Sequence, residues 1–408
     1  MLMKRNSSSV KKAPAAQYLD LVGKKIAGIE KQVPNFTSIG EKMASSLLAG
    51  GALFTPPVAR FWPSEFGGRA GGLMGLRPSN YEPQSKKDVA YFALPRRWDD
   101  RSKDELKRIA KSKAQLFAIG RPEDVDGLVP TSRFAAFTGG AAPDEGLFGL
   151  DEHRPLAPLR KFEQFVRGWL TAGEMIGACT RAGKMPIIWM SVWLEGAFAR
   201  NATFFKHDNL REPWFTSLFH DAWYVPPLAP GYTSGEFLAL LKKIHGWLIE
   251  QLRLLAQAGA WLGEAKKSKK RLWTVAVGHS YPEILELPDP KKYPIEWGHS
   301  YSDLRKALPS DLKKGDVVLH MGYAPVQIPD IKAILSRGIR LIHSSPYGRP
   351  ADLKNHENFM WLDLPWRPAD ATVDVPGYGV RILPMSSSAH TMAYFAILAE
   401  MAGRLGWK

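Results

Sequence analysis

The chain has 408 residues, 45% of them hydrophobic, and its 55 Lys and Arg against 40 Asp and Glu give a formal net charge of +15. That is enough apolar material for two cores, and the charge points to anionic partners. The single cysteine, Cys179, excludes an intramolecular disulfide and a cysteine-based metal centre and fits a reducing, cytoplasmic setting. No stretch approaches the roughly 18 to 20 consecutive apolar residues that cross a bilayer, and the basic start of the chain lacks a signal-peptide core, so no membrane partner is expected.

Residues 1–16 are polar, basic and serine-containing, and read as a disordered tail. Helical spacing over Tyr18 to Ile29 and Thr37 to Leu48 predicts two helices, the second ended by Gly50-Gly51, and Ala52 to Thr55 reads as a short strand. A glycine-rich turn region runs from Pro56 to Leu73. Val89 to Leu94 and Gln115 to Ile119 read as strands on either side of a charged helix, Ser102 to Lys111, with Arg133 to Thr138 as a further strand. Lys161 to Arg181 carries a broad apolar helical face, and after Gly183 and Pro186 the segment Ile187 to Phe198 reads as a buried helix or an interface element. Pro-rich Val225 to Gly231 reads as a linker, dividing the chain into domains 17–230 and 231–408.

The second half opens with Ser234 as the expected N-cap of a helix over Gly235 to Leu262. Leu272 to Val277 is then a buried-type strand that stops at Gly278-His279-Ser280. Asp316 to His320, Arg340 to His343, Phe359 to Leu362 and Val380 to Leu383 are further strands, with a helix at Ile328 to Ser336 and a closing helix, Ala389 to Leu405, started by Ser386-Ser387-Ser388. Alternating strands and helices predict two doubly wound, three-layer α/β/α domains with mainly parallel sheets. Ligands of such sheets sit beyond the carboxyl ends of the strands.

Ser64-Glu65-Phe66-Gly67-Gly68-Arg69-Ala70-Gly71-Gly72-Leu73, the Gly278-His279-Ser280 loop and the start of the final helix at Ser386-Ser387-Ser388-Ala389-His390 together resemble the SIS (sugar isomerase) domain family, in particular its tandem phosphosugar-binding members. The resemblance implies binding of a phosphorylated or anionic sugar, aldose–ketose isomerisation or non-catalytic sugar sensing, and assembly into homo-oligomers. It also implies ligand contacts from Ser64, Glu65 and Arg69. The family's hydroxyl-rich phosphate turn after the second strand is missing: the first half has Leu94-Pro95-Arg96-Arg97 there and the second Met321-Gly322-Tyr323. Arg96 and Arg97 could supply the phosphate grip instead.

The first three strands of the second half end at His279, His320 and His343, which a parallel sheet brings to one edge, where Ser280, Tyr323, Ser344, Ser345 and His390 can join them. Imidazoles near their ordinary pKa suit acid/base proton transfer during sugar enolisation, with Glu283 as a carboxylate neighbour. The same groups could hold a divalent metal, or each histidine could simply bond a strand-end backbone group. No cofactor is assigned. Gly298-His299-Ser300-Tyr301 repeats the spelling of the strand-end loop but follows a Pro- and Lys-rich stretch, and reads as chance or an insertion. The cluster Lys266-Lys267-Ser268-Lys269-Lys270-Arg271 has no interleaved aromatics, so a small sugar ligand is expected in preference to nucleic acid. No Gly-x-Gly-x-x-Gly follows either first strand, which ranks a nucleotide-dependent oxidoreductase last.

Overall fold

A computed structural model describes residues 13–140, 156–204, 217–277, 295–300, 304–323, 325 and 327–407. The chain starts with α1 (Pro14–Glu30) and α2 (Val33–Leu48), each with a proline in its first turn, where a missing N–H leaves no bond unmade. There follow β1 (Leu53–Phe54), α3 (Phe61–Phe66), β2 (Val89–Ala93), α4 (Asp100–Lys111), β3 (Gln115–Ile119), β4 (Phe134–Phe137) and the long α5 (Arg160–Arg181). Strands β1 to β4 lie side by side in that order, all parallel. Asp99 starts α4, its carboxylate accepting the Ser102 N–H at 2.7 Å.

After α6 (Ala197–Ala202), the second part comprises α7 (Tyr232–Glu250), α8 (Leu252–Lys267), β5 (Leu272–Val277), β6 (Glu296–Ser300), β7 (Val317–Met321), α9 (Ile328–Leu335), β8 (Arg340–Ser345), β9 (Phe359–Asp363), β10 (Ala371–Val375), β11 (Tyr378–Pro384) and α10 (Ser386–Leu405). Its sheet is parallel in the order β6-β5-β7-β8-β9. The parallel α/β class read from the sequence is the class observed.

The two sheets begin with the same hydrogen bonds. The residue before β1, Ala52, donates its N–H to Asp88 Oδ1 at 2.9 Å, and the residue before β5, Arg271, donates to Asp316 Oδ1 at 3.0 Å. Asp88 and Asp316 each stand just before the next strand, and their carbonyls accept from Gln115 and Arg340 at 2.8 and 2.9 Å. Val89 and Val317 in turn donate to Ala52 and Arg271.

Several expectations need correction. Glu296 to Ser300 is an edge strand paired in parallel with β5, not an insertion outside the sheet. Ile187 to Phe198 is not a buried helix: Leu73 bridges Ile188 and the preceding Pro186 bridges Phe219, Val192, Leu194 and Phe198 are exposed, and within the segment helix begins only at Ala197. The helix expected over Gly235 to Leu262 is two, divided at Gln251. Ser234 does not cap α7. Gly231 does, in a left-handed conformation, while the buried Glu174 carboxylate reaches across from α5 to accept from the N–H groups of Gly231 and Ser234 and the hydroxyls of Thr37, Thr233 and Ser234. Val380 to Leu383 is no fifth parallel strand. It lies in β11, antiparallel to β10, a separate hairpin.

One apolar cluster extends from Ala15 to Ala402 and takes in both sheets together with α1, α2, α5, α7, α8 and α10. A smaller one, with Val318, Leu341, Ile331 and Phe359, covers the other face of the second sheet. The hairpin closes on the glycine-rich segment: Leu383 N–H donates to the Gly71 carbonyl, and a Cβ on Gly71 would lie 2.7 Å from that of Ala371.

Candidate functional site

Register alone creates the central feature. β7 and β8 pair His320 with His343, and β8 and β9 pair His343 with Trp361. The three side chains form a row at the carboxyl end of the second sheet, on the face that carries Val318, Leu341 and Phe359 two residues earlier. The imidazoles meet Nδ1 to Nδ1 at 2.7 Å, and the His343 ring lies on Trp361 with centroids 4.8 Å apart and 15° between planes. His390, in the first turn of α10, is buried beside them with its ring edge-on to Trp366 at 5.2 Å.

Burial holds these rings neutral. It pushes His320 down to about 3 and His390 to about 3, and it takes His343 well below the usual imidazole range, helped by His320 and His390. A neutral pair joined through Nδ1 has a fixed consequence. The ring that donates carries no proton on Nε2, and the ring that accepts carries one there. The pair therefore presents one acceptor and one donor, and both Nε2 atoms are buried without a hydrogen-bond partner among the described residues. The hydroxyls of Ser344 and Ser388 are buried in the same state.

Next to the histidines lies a fully buried ionic knot that joins distant parts of the chain. Arg69 Nε and Nη2 donate to Asp370 Oδ2 at 3.1 and 3.0 Å, Nη1 donates to Ser387 Oγ at 2.6 Å, and the guanidinium also meets Ser386 Oγ and the Glu65 carboxylate. The other oxygen of Asp370 accepts from the N–H groups of Met385 and Ser386, at the start of α10. Glu65 accepts from Trp169 Nε1 and Ser387 Oγ, both at 2.7 Å. Burial pushes its carboxyl up to about 7 against the opposing pull of Arg69. For Arg69 burial works against the charge, and Asp370 and then Glu65 outweigh it. Asp370 holds this position in a left-handed conformation, φ 72°, and Ala369 and Leu383 are left-handed as well. Arg69, Glu65, Ser386 and Ser387 are thus engaged with one another and with Asp370, and the anion-binding positions around them already hold a carboxylate.

The structure brings His320, His343, His390, Ser344, Ser345, Ser386, Ser387, Ser388, Glu65 and Arg69 into this region, and the Tyr323 hydroxyl is close enough to act on the Arg69 charge. Ser64 is exposed on α3, and Arg96 and Arg97 lie beyond the carboxyl end of the other sheet, half-buried and exposed. Gly278, His279, Ser280 and Glu283 lie outside the described residues.

The corresponding row of the first sheet is Phe92, Ala118 and Phe137, paired in the same way. The turn after β2 is filled from α5: Gln164 donates to the Leu94 carbonyl at 2.6 Å, and Arg160 reaches Leu94 and Pro95 while ion-paired to Asp124. That row is apolar, and the turn beside it is occupied by side chains of α5. Residues the sequence reading missed are Asp370, Trp361, Trp366 and Trp169. Trp361 could have been found from its place in the strand Phe359 to Leu362, opposite a strand ending in histidine; Asp370 has no local signal. Among the described residues no group of three or more His, Cys, Asp or Glu side chains is arranged to hold a metal ion, and no helix is long and apolar enough to cross a membrane.

Comparison with known proteins places this architecture. No protein-family model and no curated protein matches the sequence. Among solved structures, the C-terminal domain of glucosamine-fructose-6-phosphate aminotransferase from Francisella tularensis aligns over 98% of this chain and 99% of that one, with a TM-score of 0.50 and 11% identity. A candidate phosphosugar isomerase from Silicibacter pomeroyi aligns over 97% and 99%, with a TM-score of 0.49 and 10% identity. The chain is an α/β protein of parallel sheets. Its fold is that of the Francisella domain, and the SIS resemblance read from the sequence holds for the fold.

Proposed function

We propose that the chain is a sugar-binding protein made of two copies of one α/β unit, residues 17–230 and 231–408, with its ligand site at the carboxyl edge of the second sheet. The matching hydrogen bonds of Asp88 and Asp316 support the duplication. The observation that carries the site is the His320–His343 pair, whose two buried Nε2 atoms offer one donor and one acceptor. A sugar hydroxyl both donates and accepts, whereas a phosphate at neutral pH needs donors. Trp361 and Trp366 supply the flat apolar surfaces that pack against a sugar ring.

Binding without turnover is favoured over aldose–ketose isomerisation. Imidazoles held near 3 are poor bases, and Glu65 has both carboxylate oxygens occupied. Phosphate is met less well than hydroxyl, because Asp370 occupies the Arg69 and α10 anion positions.

A thermal-shift panel of free sugars and their phosphates tests this, followed by an NMR assay of C2-proton exchange on each ligand found. A free sugar is expected to stabilise the protein, to lose its effect in His320→Phe with His343→Ala, and to show no exchange. Stabilisation that survives the double substitution would refute the site, and enzyme-dependent exchange would refute the non-catalytic reading.

A further inference from the structure

The opposite edge of the second sheet carries a different chemistry. Strands β5, β7 and β8 are adjacent and parallel, so the turns leading into them share the amino edge. These turns interlock. Gly315 N–H donates to the Gly338 carbonyl at 3.0 Å, and Lys270 Nζ reaches the Lys314 carbonyl at 3.2 Å. A Cβ on Gly315 would lie 3.1 Å from Lys270 Cε, and one on Gly338 2.9 Å from Lys314 Cγ, so the lysine stems lie flat over neighbouring turns.

Among the described residues, the carboxylates at the turns into β5, β7 and β8 are already paired. Arg271 holds both Glu296 and Asp311, Arg340 holds Glu264 at 3.1 Å, and Asp316 is buried with its oxygens on the N–H groups of Arg271 and Lys313. Lys267, Lys269, Lys313 and Lys314 remain exposed. Lys267 lies in the last turn of α8, where the helix dipole accounts for a cation, but the other three have no such role. Lys269 is the more telling case: it sits just past the helix in a left-handed conformation, φ 54°, a position that glycine or asparagine fills without strain. A lysine kept there keeps a charge at some loss of stability.

We infer that this amino edge binds the phosphate backbone of nucleic acid without reading its sequence. The exposed groups are compact cations with no planar fork or base-reading amides among the four, which suits phosphate contacts. An anionic membrane fits less well, since the described residues of the turns into β5, β7 and β8 expose lysines and no large apolar side chain to insert among lipids.

The test is fluorescence anisotropy of the full chain with a labelled mixed-sequence DNA duplex over a salt series, beside the variant Lys267→Gln, Lys269→Gln, Lys313→Gln, Lys314→Gln. Four lost phosphate contacts lower the slope of log K against log salt by about 3 to 4. The thermal transition of the variant checks that these surface changes leave the fold intact. Absence of binding by the parent chain at low salt overturns the inference, and so does an unchanged slope in the variant, which would put the contact elsewhere, as on the basic tail. Lysine-dependent capture by phosphatidylserine vesicles at salt where the duplex is not bound overturns it in favour of a membrane.

Discussion

Acid should weaken this protein through its buried imidazoles. His320, His343 and His390 have an ordinary pKa of 6.5 in the unfolded chain and are held far below it when folded. Below pH 6.5 the unfolded chain binds protons that the folded chain refuses, so stability is lost as pH falls. At pH 5 His320 and His390 each cost about 2 kcal/mol, 1.5 pH units at roughly 1.4 kcal/mol each, and together about 4, with His343 adding in the same direction. Glu65 works in the other direction: with a folded pKa of about 7 against 4.5, it is protonated first in the folded chain and returns about 2 kcal/mol between pH 7 and pH 5. The net expectation is a loss of at least about 2 kcal/mol over that interval, read as the shift of urea midpoints, and His343 and His220, the latter also pushed down by burial to about 4, add to it. Replacing the pair by the side chains of the matching first-sheet row, His320→Phe with His343→Ala, removes two of the three imidazoles. The variant should lose at least about 2 kcal/mol less than the parent over the interval. A variant that loses as much as the parent would show that these rings are not held neutral by burial.

Two further outcomes concern the polar interior. Asp370→Ala leaves Arg69 buried with Glu65 as its remaining carboxylate and removes an acceptor from the start of α10; a loss of roughly 3 to 5 kcal/mol is expected in urea unfolding, and a loss under about 1 would show that the knot is not a stabilising pair. Glu174→Ala strands the donors of Thr37, Gly231, Thr233 and Ser234 and should cost about 3 kcal/mol or more, seen as a lowered thermal midpoint, whereas an unchanged midpoint would mean that solvent replaces the carboxylate freely.

How much could be read beforehand depended on how local each cause is. β2, β5 and β7 are short, almost wholly apolar runs because parallel strands are covered on both faces, and such runs stand out in a sequence. β6 does not, since Glu296-Trp297-Gly298-His299-Ser300 is an edge strand without an apolar run. The spacing of α5 shows its broad apolar face, but its polar face is buried too: Arg167 donates to Gln32 and to the Thr138 carbonyl, and Glu163 meets Lys25 at 3.2 Å. Those partners are far away in the chain, so no spacing announces them. The same holds for the site. The strand-end histidines were legible because parallel strands share an edge, whereas the left-handed Asp370 is defined only by Arg69 and the start of α10.

The Arg69–Asp370 bond also bears on how the protein is made. Translation must supply 301 further residues after the guanidinium before its carboxylate exists, about 15 to 60 s at ordinary ribosome speeds. Until then, among the described residues of the first half, Glu65 is the carboxylate that pairs with it. The full set of bonds around the guanidinium can close only once the last hairpin and helix have left the ribosome.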